Sequence, residues 1–302
     1  MANTIDKVHD LFKTTLLLTG MTVLLVLVGG LLASRLGMIV ALAISVTTNF
    51  VSYWFSDKIV LRAYGARRVG PSAAPELHGI VRDLSLTADI PVPRLYIIES
   101  ETPNAFATGR NPENAAIAVT SGIMRVCNRE ELKGVLAHEL LHIKNRDILV
   151  SSIAATLAGA VMVLCSLLRW DMLFGLGGYR GGDDRGLLHY ASLLILAPIA
   201  ATLIQLTISR MREYKADEGG AMLIHDPIGL AVALRKLAVF NRRNPLDANA
   251  STAHLFIVNP LTDGMLMRLF STHPPIDDRV RRLEKMALRM VPQKGRLAHL
   301  LN

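Results

Sequence analysis

Cysteine and charge are both scarce in this chain of 302 residues. The only two cysteines are Cys127 and Cys165, so at most one disulfide could form, and Cys165 lies inside an apolar run. A secreted, disulfide-stabilised fold is therefore excluded, and we interpret both side chains as reduced thiols without a redox role. Charged residues make up 19% of the chain and hydrophobic residues 51%, a composition that excludes an intrinsically disordered protein.

Aromatic residues are few as well, at 5% of the chain. The formal net charge of +8 could indicate a nucleic-acid partner, but that interpretation requires basic residues interleaved with aromatic ones. The basic residues here cluster instead at the ends of apolar runs. We therefore expect the positive charge to face a lipid bilayer, and we predict no nucleic-acid partner.

Four long uncharged runs account for the mean hydropathy of +0.36. They cover residues 14–34, 36–56, 148–168 and 186–209, and each exceeds the roughly 18 residues expected of a transmembrane helix. The first two are separated only by a turn around Arg35 and predict an uncleaved transmembrane hairpin. A basic group follows the second run, so the positive-inside rule places both ends of the hairpin in the cytoplasm. This group consists of Lys58, Arg62, Arg67 and Arg68.

The remaining sequence has helix and strand patterns of ordinary length, which predicts a mostly helical α+β fold. The hairpin and its basic linker occupy residues 1–69, and the second domain occupies residues 70–302 with the apolar segment 148–209 inserted. The predicted elements are helices over 75–86, 226–240 and 275–290, strands over 94–98 and 115–120, and a helix that begins after Asn128 and passes His142. Whether the inserted runs cross the bilayer stays open, because Pro198, Gln205 and His189 make the last run less lipid-like.

The strongest signal for function is the H-E-x-x-H pattern from His138 to His142 on a predicted helix. The two imidazoles lie about 40° apart around the helix and one turn apart along it, so both can reach one metal ion. Glu139 lies about 100° from His138, close enough to contact a water molecule at the metal without displacing a ligand. This arrangement is typical of a zinc peptidase in which Glu139 is the general base.

A catalytic zinc ion needs a third protein ligand and one open position. Glu213 is the best candidate, because it continues the fourth apolar run as a helix, just as the two histidines lie on the helix that leads into the third. A hairpin between these helices would bring their ends together. Asp217, one turn after Glu213, can accept a hydrogen bond from the second nitrogen of a ligating histidine. The alternative for Asp217 is a solvated charge that pairs with Lys215 or Arg212.

Three segments together resemble the HtpX branch of the membrane zinc metallopeptidases, which is related to the CAAX prenyl proteases. They are residues 138–147, 209–217 and 271–275, and the similarity covers nearly the whole chain. The resemblance implies a zincin-type (gluzincin) catalytic domain in a multipass inner-membrane protein whose active site faces the cytoplasm. It implies one Zn²⁺ per chain on His138, His142 and Glu213, with Glu139 as the catalytic glutamate. The implied activity is endopeptidase cleavage of misfolded or damaged membrane proteins.

Three further residues are weaker candidates. Asn104 lies between the two predicted strands, and the resemblance implies that this segment runs along the substrate cleft. Strand 115–120 would then offer its edge to an extended peptide. The alternative for Asn104 is a turn residue that serves backbone geometry. His273, held rigidly before two prolines, is predicted to stabilise the oxyanion, and Arg279 to help bind substrate. Both could instead be capping or solvated surface residues.

Two other classes of protein remain alternatives. A non-catalytic membrane scaffold with a structural metal site would need a fourth ligand, and no additional Cys or His lies at close spacing to supply it. A transporter would need ionisable residues near the middle of its spans, where only Asn49 and Gln205 are polar candidates. Either class predicts no functional effect of Glu139→Gln, whereas a peptidase would keep its metal and lose its activity.

Overall fold

The computed structural model describes residues 2–154, 156–157, 210–243, 255–258 and 274–290. Its helices are α1 (Ala2–Ala63), α2 (Pro75–Ala88), α3 (Ser121–Val126), α4 (Arg129–Lys144), α5 (Arg210–Ile224), α6 (Pro227–Arg243) and α7 (Ile276–Met290). Its strands are β1 (Arg67–Arg68), β2 (Arg94–Ile98), β3 (Ala105–Thr108) and β4 (Ala116–Thr120). The mostly helical α+β fold predicted from the sequence is confirmed.

The elements predicted in the second domain are confirmed, with boundaries that agree within a few residues. Strand β3 is the exception, because Pro103, Asn104 and Gly109 give its surroundings the pattern of a turn. The predicted apolar insertion lies outside the described residues except for its beginning, where residues 147–154 are helical. His273 also lies outside the described residues.

The apolar N-terminal segment folds back on itself. Although α1 has helical geometry along its whole length, Asn49 Nδ2 lies 2.9 Å from Thr22 Oγ1 and 3.4 Å from the carbonyl oxygen of Leu18. A straight helix would separate Leu18 from Asn49 by about 46 Å. Closer to the turn, a Cβ placed on Gly30 would lie 3.0 Å from Met38 Cγ. The two halves of α1 therefore lie side by side, as the predicted hairpin requires.

The second half of α1 carries an unusually apolar exposed surface. Among the described residues, one helix, Arg35–Ala63, is long and apolar enough to span a membrane by length and composition alone. Only 11% of its most apolar window is buried. Leu36 and Ile39 are 69% and 65% exposed, and a contiguous apolar surface of this kind favours contact with lipid or protein over contact with water.

The four strands form one mixed sheet in the order β1-β2-β4-β3. Strand β4 is parallel to β2 and antiparallel to β3, so both of its edges are paired. The prediction that strand 115–120 offers its edge to a substrate is therefore wrong, since this strand is internal. Strand β3 lies outermost, and the carbonyl oxygen of Ala105 accepts a hydrogen bond of 3.1 Å from the N–H of Ile257.

Strand β4 separates two layers of apolar packing because successive side chains point to opposite faces of a sheet. Ile117 and Val119 join the larger core, which α2, α4 and α6 cover. Ala116 and Ala118 face a smaller cluster formed with the end of α1, β2, β3, Leu255 and Phe256. The sheet therefore lies between the helical core and the exit of the apolar hairpin.

Helix α4 begins with the capping box that its sequence predicts. The Asn128 side chain accepts a hydrogen bond from the N–H of Glu131, and the Glu131 carboxylate accepts one from the N–H of Asn128. Lys236 on α6 donates to the same Glu131 carboxylate at 2.7 Å. These bonds satisfy the free N–H groups of the first turn and fix α4 against α6.

Helices α4 and α5 approach closely at a pair of adjacent glycines. A Cβ on Gly220 would lie 3.0 Å from the backbone nitrogen of His138, and a Cβ on Gly219 would lie 2.9 Å from the side chain of Leu141. The backbone of α4 cannot move aside as easily as the end of a leucine side chain. Gly220 therefore sets the distance between the two helices at His138.

We expect Gly220→Ala to lower the free energy of unfolding by about 1–3 kcal/mol, because the added methyl group forces the helices apart. Gly219→Ala is the matched control. Leu141 can adopt another rotamer, and alanine favours the helix by up to about 1 kcal/mol over glycine. Denaturant titration of the two purified variants measures the difference, and equal stabilities would contradict the assigned spacing role.

Candidate metal centre

Three side chains from two helices converge on one point. His138, His142 and Glu213 each offer one ligand atom, and these atoms all lie within 4.8 Å of one another. The two Nε2 atoms are 3.1 Å apart, and Glu213 Oε1 and Oε2 lie 3.5 Å from His142 Nε2 and 3.7 Å from His138 Nε2. Nitrogen and oxygen ligands lie 2.0–2.2 Å from zinc, and in a tetrahedral arrangement two such ligand atoms are about 3.4 Å apart. The donor set and its spacing therefore fit a metal ion.

The helices place these side chains by simple periodicity. His138 and His142 are one turn apart on α4, and their rings meet edge to face with centroids 4.7 Å apart. Glu213 lies in the first turn of α5, which packs along α4. All three are largely or fully buried, and the Glu213 charge is partly balanced by Arg279, whose Nη1 lies 3.6 Å from Glu213 Oε2.

Glu139 lies against the three donors and is 2% exposed. Burial raises the pKa of its carboxyl above the usual range, and the neighbouring histidines only partly oppose this effect. Ala107 on β3 also borders this site, and its backbone lowers the pKa of the Glu139 carboxyl. With Ile148, Ser151 and Phe256, these residues line a cavity of ≈ 30 Å³, which is enough for a water molecule.

His138 is oriented by a buried ion pair. Its Nδ1 lies 3.0 Å from Asp217 Oδ1, so the Nδ1–H donates to that carboxylate and Nε2 is left to face the other donors. The guanidinium of Arg279 donates to both Asp217 oxygens, at 2.8 and 2.7 Å, and to the carbonyl oxygen of Ile257 at 2.8 Å. Burial alone would raise the pKa of Asp217, but the Arg279 charge and hydrogen bonds outweigh burial and lower it.

His142 has a second carboxylate–arginine pair of its own. Its Nδ1 lies 3.1 Å from Asp147 Oδ2, and Asp147 Oδ1 lies 3.4 Å from Nη1 of Arg212, the residue before Glu213. Burial alone would lower the pKa of His142, but the hydrogen bond to Asp147 and the charge of Glu213 raise it to about 9. Without a metal, His142 is therefore protonated at neutral pH, so metal binding must release a proton.

We expect Asp147→Ala to weaken zinc binding about 10–100-fold, because His142 loses the acceptor that fixes its ring and tautomer. Asp147→Asn is the matched control, since its amide oxygen still accepts from Nδ1–H and should preserve most of the affinity. Competition with a chromophoric zinc chelator gives both dissociation constants. Wild-type affinity in Asp147→Ala would show that Asp147 does not orient the ligand.

The structure places the remaining predicted residues as follows. Asn104 is fully buried, and its amide donates to the carbonyl oxygen of Val258 at 2.9 Å. Arg279 is also fully buried, and its contacts with Asp217 favour a positioning role over direct binding of substrate. Asp217 is not the solvated charge weighed as an alternative, because it is 3% exposed.

Asp147 and Arg212 are two residues near the site that sequence reasoning missed. Asp147 follows the end of α4, where Arg146 adopts a positive φ of 62° and reverses the chain. This reversal brings Asp147 back to His142, which helical periodicity does not predict. The available signals were an acidic residue just beyond the helix end and a basic residue next to Glu213.

Comparisons with known proteins agree with this geometry. The profile of Peptidase family M48 matches residues 71–287. The Protease HtpX homolog of Desulfatibacillum aliphaticivorans is 56% identical over 274 residues, which cover 90% of this chain and 88% of the relative. The Protease HtpX homolog of Syntrophobacter fumaroxidans is 55% identical over 278 residues, with 91% and 99% covered. That of Pyrococcus furiosus is 52% identical over 280 residues, with 92% and 96% covered.

Among solved structures, S. mikatae Ste24p is similar with a TM-score of 0.51 at 16% identity, covering 93% of this chain and 67% of that chain. At this identity the similarity concerns the fold alone. The profile match is more informative, because it spans both α4 with its two histidines and α5 with Glu213. With relatives above 50% identity over nine-tenths of its length, this chain belongs to Peptidase family M48 and is a metalloprotease.

Proposed function

We propose that this protein is a membrane-embedded, zinc-dependent endopeptidase that cleaves misfolded or damaged membrane proteins, with its active site facing the cytoplasm. The observation that carries the proposal is Glu139, a buried carboxylate placed beside two imidazoles and a second carboxylate, that of Glu213. A structural metal site has no use for a base at this position. It would also need a fourth ligand, and the cluster found among the described residues has three members.

His138, His142 and Glu213 would hold one Zn²⁺, since two imidazoles and a carboxylate are a donor set that zinc accepts and that leaves a position open. When bound, zinc would act as a Lewis acid on a peptide carbonyl and lower the pKa of a water molecule at the site. The Asp217 and Asp147 carboxylates hold the two Nδ1–H groups, which keeps both Nε2 lone pairs directed at the ion.

Glu139 would carry the proton transfers. Burial raises the pKa of Glu139 above that of an exposed glutamate, which makes its carboxylate a better proton acceptor. It can therefore accept a proton from the attacking water and return it to the leaving amine. The backbone of Ala107, which lines the same cavity, would help to position the carboxylate for both transfers. His138, Glu139 and Glu213 are all buried, and charges interact more strongly in such surroundings than in bulk water.

The membrane part of the proposal rests on α1. Its exposed apolar surface is the length of a bilayer crossing, and basic side chains follow at its end. Lys58, Arg62, Arg67 and Arg68 are all exposed, which supports the predicted cytoplasmic position of the second domain. Substrate roles for His273 at the oxyanion and for Asn104 in the cleft remain proposals.

Metal removal tests the proposed activity. Protein purified in detergent without chelator should contain one equivalent of zinc and cleave casein. Dialysis against 1,10-phenanthroline should remove both metal and cleavage, and stoichiometric zinc should restore them together. Cleavage that persists in metal-free protein would exclude the zinc peptidase, and zinc-loaded protein without cleavage would favour a structural metal site.

A further inference from the structure

Four exposed aromatic side chains lie together near the end of the candidate membrane helix. They are Phe50, Tyr53, Trp54 and Phe55, and each is between 37% and 59% exposed. Tyr53 and Trp54 contact each other edge to face, with centroids 5.4 Å apart. In a chain with 5% aromatic residues, such a group on a lipid-facing helix marks the membrane–water interface, where amphipathic rings concentrate.

Cationic side chains lie over two of these rings, one from α1 itself and one from the second domain. Lys58 Nζ lies 5.2 Å from the ring centre of Phe55, and the guanidinium of Arg110 lies 4.7 Å from that of Trp54. Directly after this point the helix becomes buried, because Asp57 forms an ion pair of 2.8 Å with Arg94 and Val60 is 1% exposed. The change from lipid-facing to protein-facing helix therefore occurs within one or two turns of Trp54.

The same end of α1 packs directly on the strand that serves the metal centre. Phe106 of β3 joins the apolar cluster of Val60 and Leu61, and its ring lies 6.0 Å from that of Tyr64. The next residue is Ala107, which lines the cavity of the metal centre together with Glu139. The membrane helix thus packs on strand β3, and strand β3 in turn lies next to the general base, Glu139.

The backbone limits the distance between the interface and the site. Arg110 follows Ala107 by three residues, or at most about 11 Å, and its side chain adds roughly the length of two extended residues. Together with the 4.7 Å stack on Trp54, these lengths keep Ala107 within about 25 Å of the aromatic group. An extended peptide covers that distance in about eight residues.

We propose that this contact fixes the depth of cleavage, so that the substrates are membrane-proximal segments cut within about eight residues of the bilayer surface. The inference rests on the proposed function and specifies which part of a membrane protein the site reaches. The first residues that follow a substrate's transmembrane span lie at the same height above the bilayer as β3. Residues farther along a long substrate loop reach the site only if the loop folds back toward the bilayer surface. The membrane–water interface of the bilayer contacts an aromatic and basic surface of the protein, which is formed by Phe50, Tyr53, Trp54, Lys58 and Arg110.

Tryptophan fluorescence tests the depth of the interface without any catalysis. Trp54 and Trp170 are the only tryptophans, so Trp170→Phe leaves Trp54 as the reporter. In nanodiscs, lipids brominated close to the headgroup should quench Trp54 more strongly than lipids brominated near the chain ends. Absence of quenching, or stronger quenching from the chain ends, would overturn the assigned interface.

A tethered substrate tests the depth of cleavage. Single-span proteins carrying a soluble domain on unstructured linkers of about 5–30 residues are placed with the enzyme in proteoliposomes, and cut positions are mapped by mass spectrometry. We expect the cuts to stay within about eight residues of the span at every linker length. Free casein serves as the parallel substrate. If casein is cut but the cut positions in the tethered substrates move outward as the linker lengthens, the proposed limit on cleavage depth is overturned and the proposed function stands. If neither substrate is cut, the proposed function and the depth limit are both overturned.

Discussion

Replacing Glu139 by glutamine is expected to lower kcat for casein by about 10²–10⁴-fold while one zinc ion stays bound. Glutamine has nearly the volume of glutamate and can keep a hydrogen bond at this buried position, but it cannot accept the proton. The three metal donors are unchanged by the substitution. The loss should therefore appear in the catalytic step and not in the metal content.

Two companion variants make the result specific. Glu213→Ala removes a ligand and should lose zinc and cleavage together, whereas Glu130→Gln makes the same chemical change on an exposed face of α4 and should leave both unchanged. Zinc is counted by atomic absorption on the preparations used for kinetics. Wild-type turnover in Glu139→Gln with zinc bound would remove Glu139 from the mechanism and end the peptidase proposal.

Arg279→Met is expected to lower the free energy of unfolding by about 3–5 kcal/mol. Methionine fills most of the aliphatic volume of arginine, but it leaves the Asp217 carboxylate buried without its cation. A buried ion pair contributes little net stability, because the attraction is offset by the desolvation of both charges. Removal of one partner leaves the desolvation of the other charge without compensation. His138 also loses a firmly held acceptor, so zinc affinity should fall in the same variant.

A double-mutant cycle separates the buried charge from lost packing. Asp217→Asn combined with Arg279→Met should cost clearly less than the sum of the two single changes, because position 217 no longer carries an uncompensated charge. Arg289→Met, at an exposed position on the same helix, should stay within about 0.5 kcal/mol of wild type. Denaturant titrations followed by circular dichroism provide all four values. Additive costs would show that the Arg279–Asp217 pair is not the source of the effect.

Helical periodicity and capping made α4 predictable from sequence, because the Asn128 cap, the buried stripe and the H-E-x-x-H spacing are all local features. Strand β3 was missed since its four residues acquire a strand conformation only by pairing with β4. Arg279 was predicted to help bind substrate because it follows His273 by six residues, and the alternative was a capping or solvated surface residue. Its burial depends on Asp217, which lies 62 residues away in sequence, and no local pattern encodes such a partner.

The apolar composition predicted that the two halves of α1 pair. For the metal centre, the sequence predicted the metal donors but not all of the residues around them. His138, His142 and Glu213 follow from ligand chemistry and the topology of a hairpin. The two arginines that hold their carboxylate partners do not follow, because their roles arise from tertiary packing of α5 and α7 against α4.

The division of the metal centre among α4, α5 and α7 affects when the protein can become active during its synthesis. A nascent chain that has emerged only as far as α4 has two of the three ligands and the general base. Glu213 arrives with α5, and the guanidinium that steadies Asp217 arrives last, with α7. The donor set is therefore complete once α5 has emerged, whereas the buried Asp217 carboxylate has its cation only once α7 has folded against it. The order of these residues along the chain makes the firmly oriented metal centre a late product of synthesis.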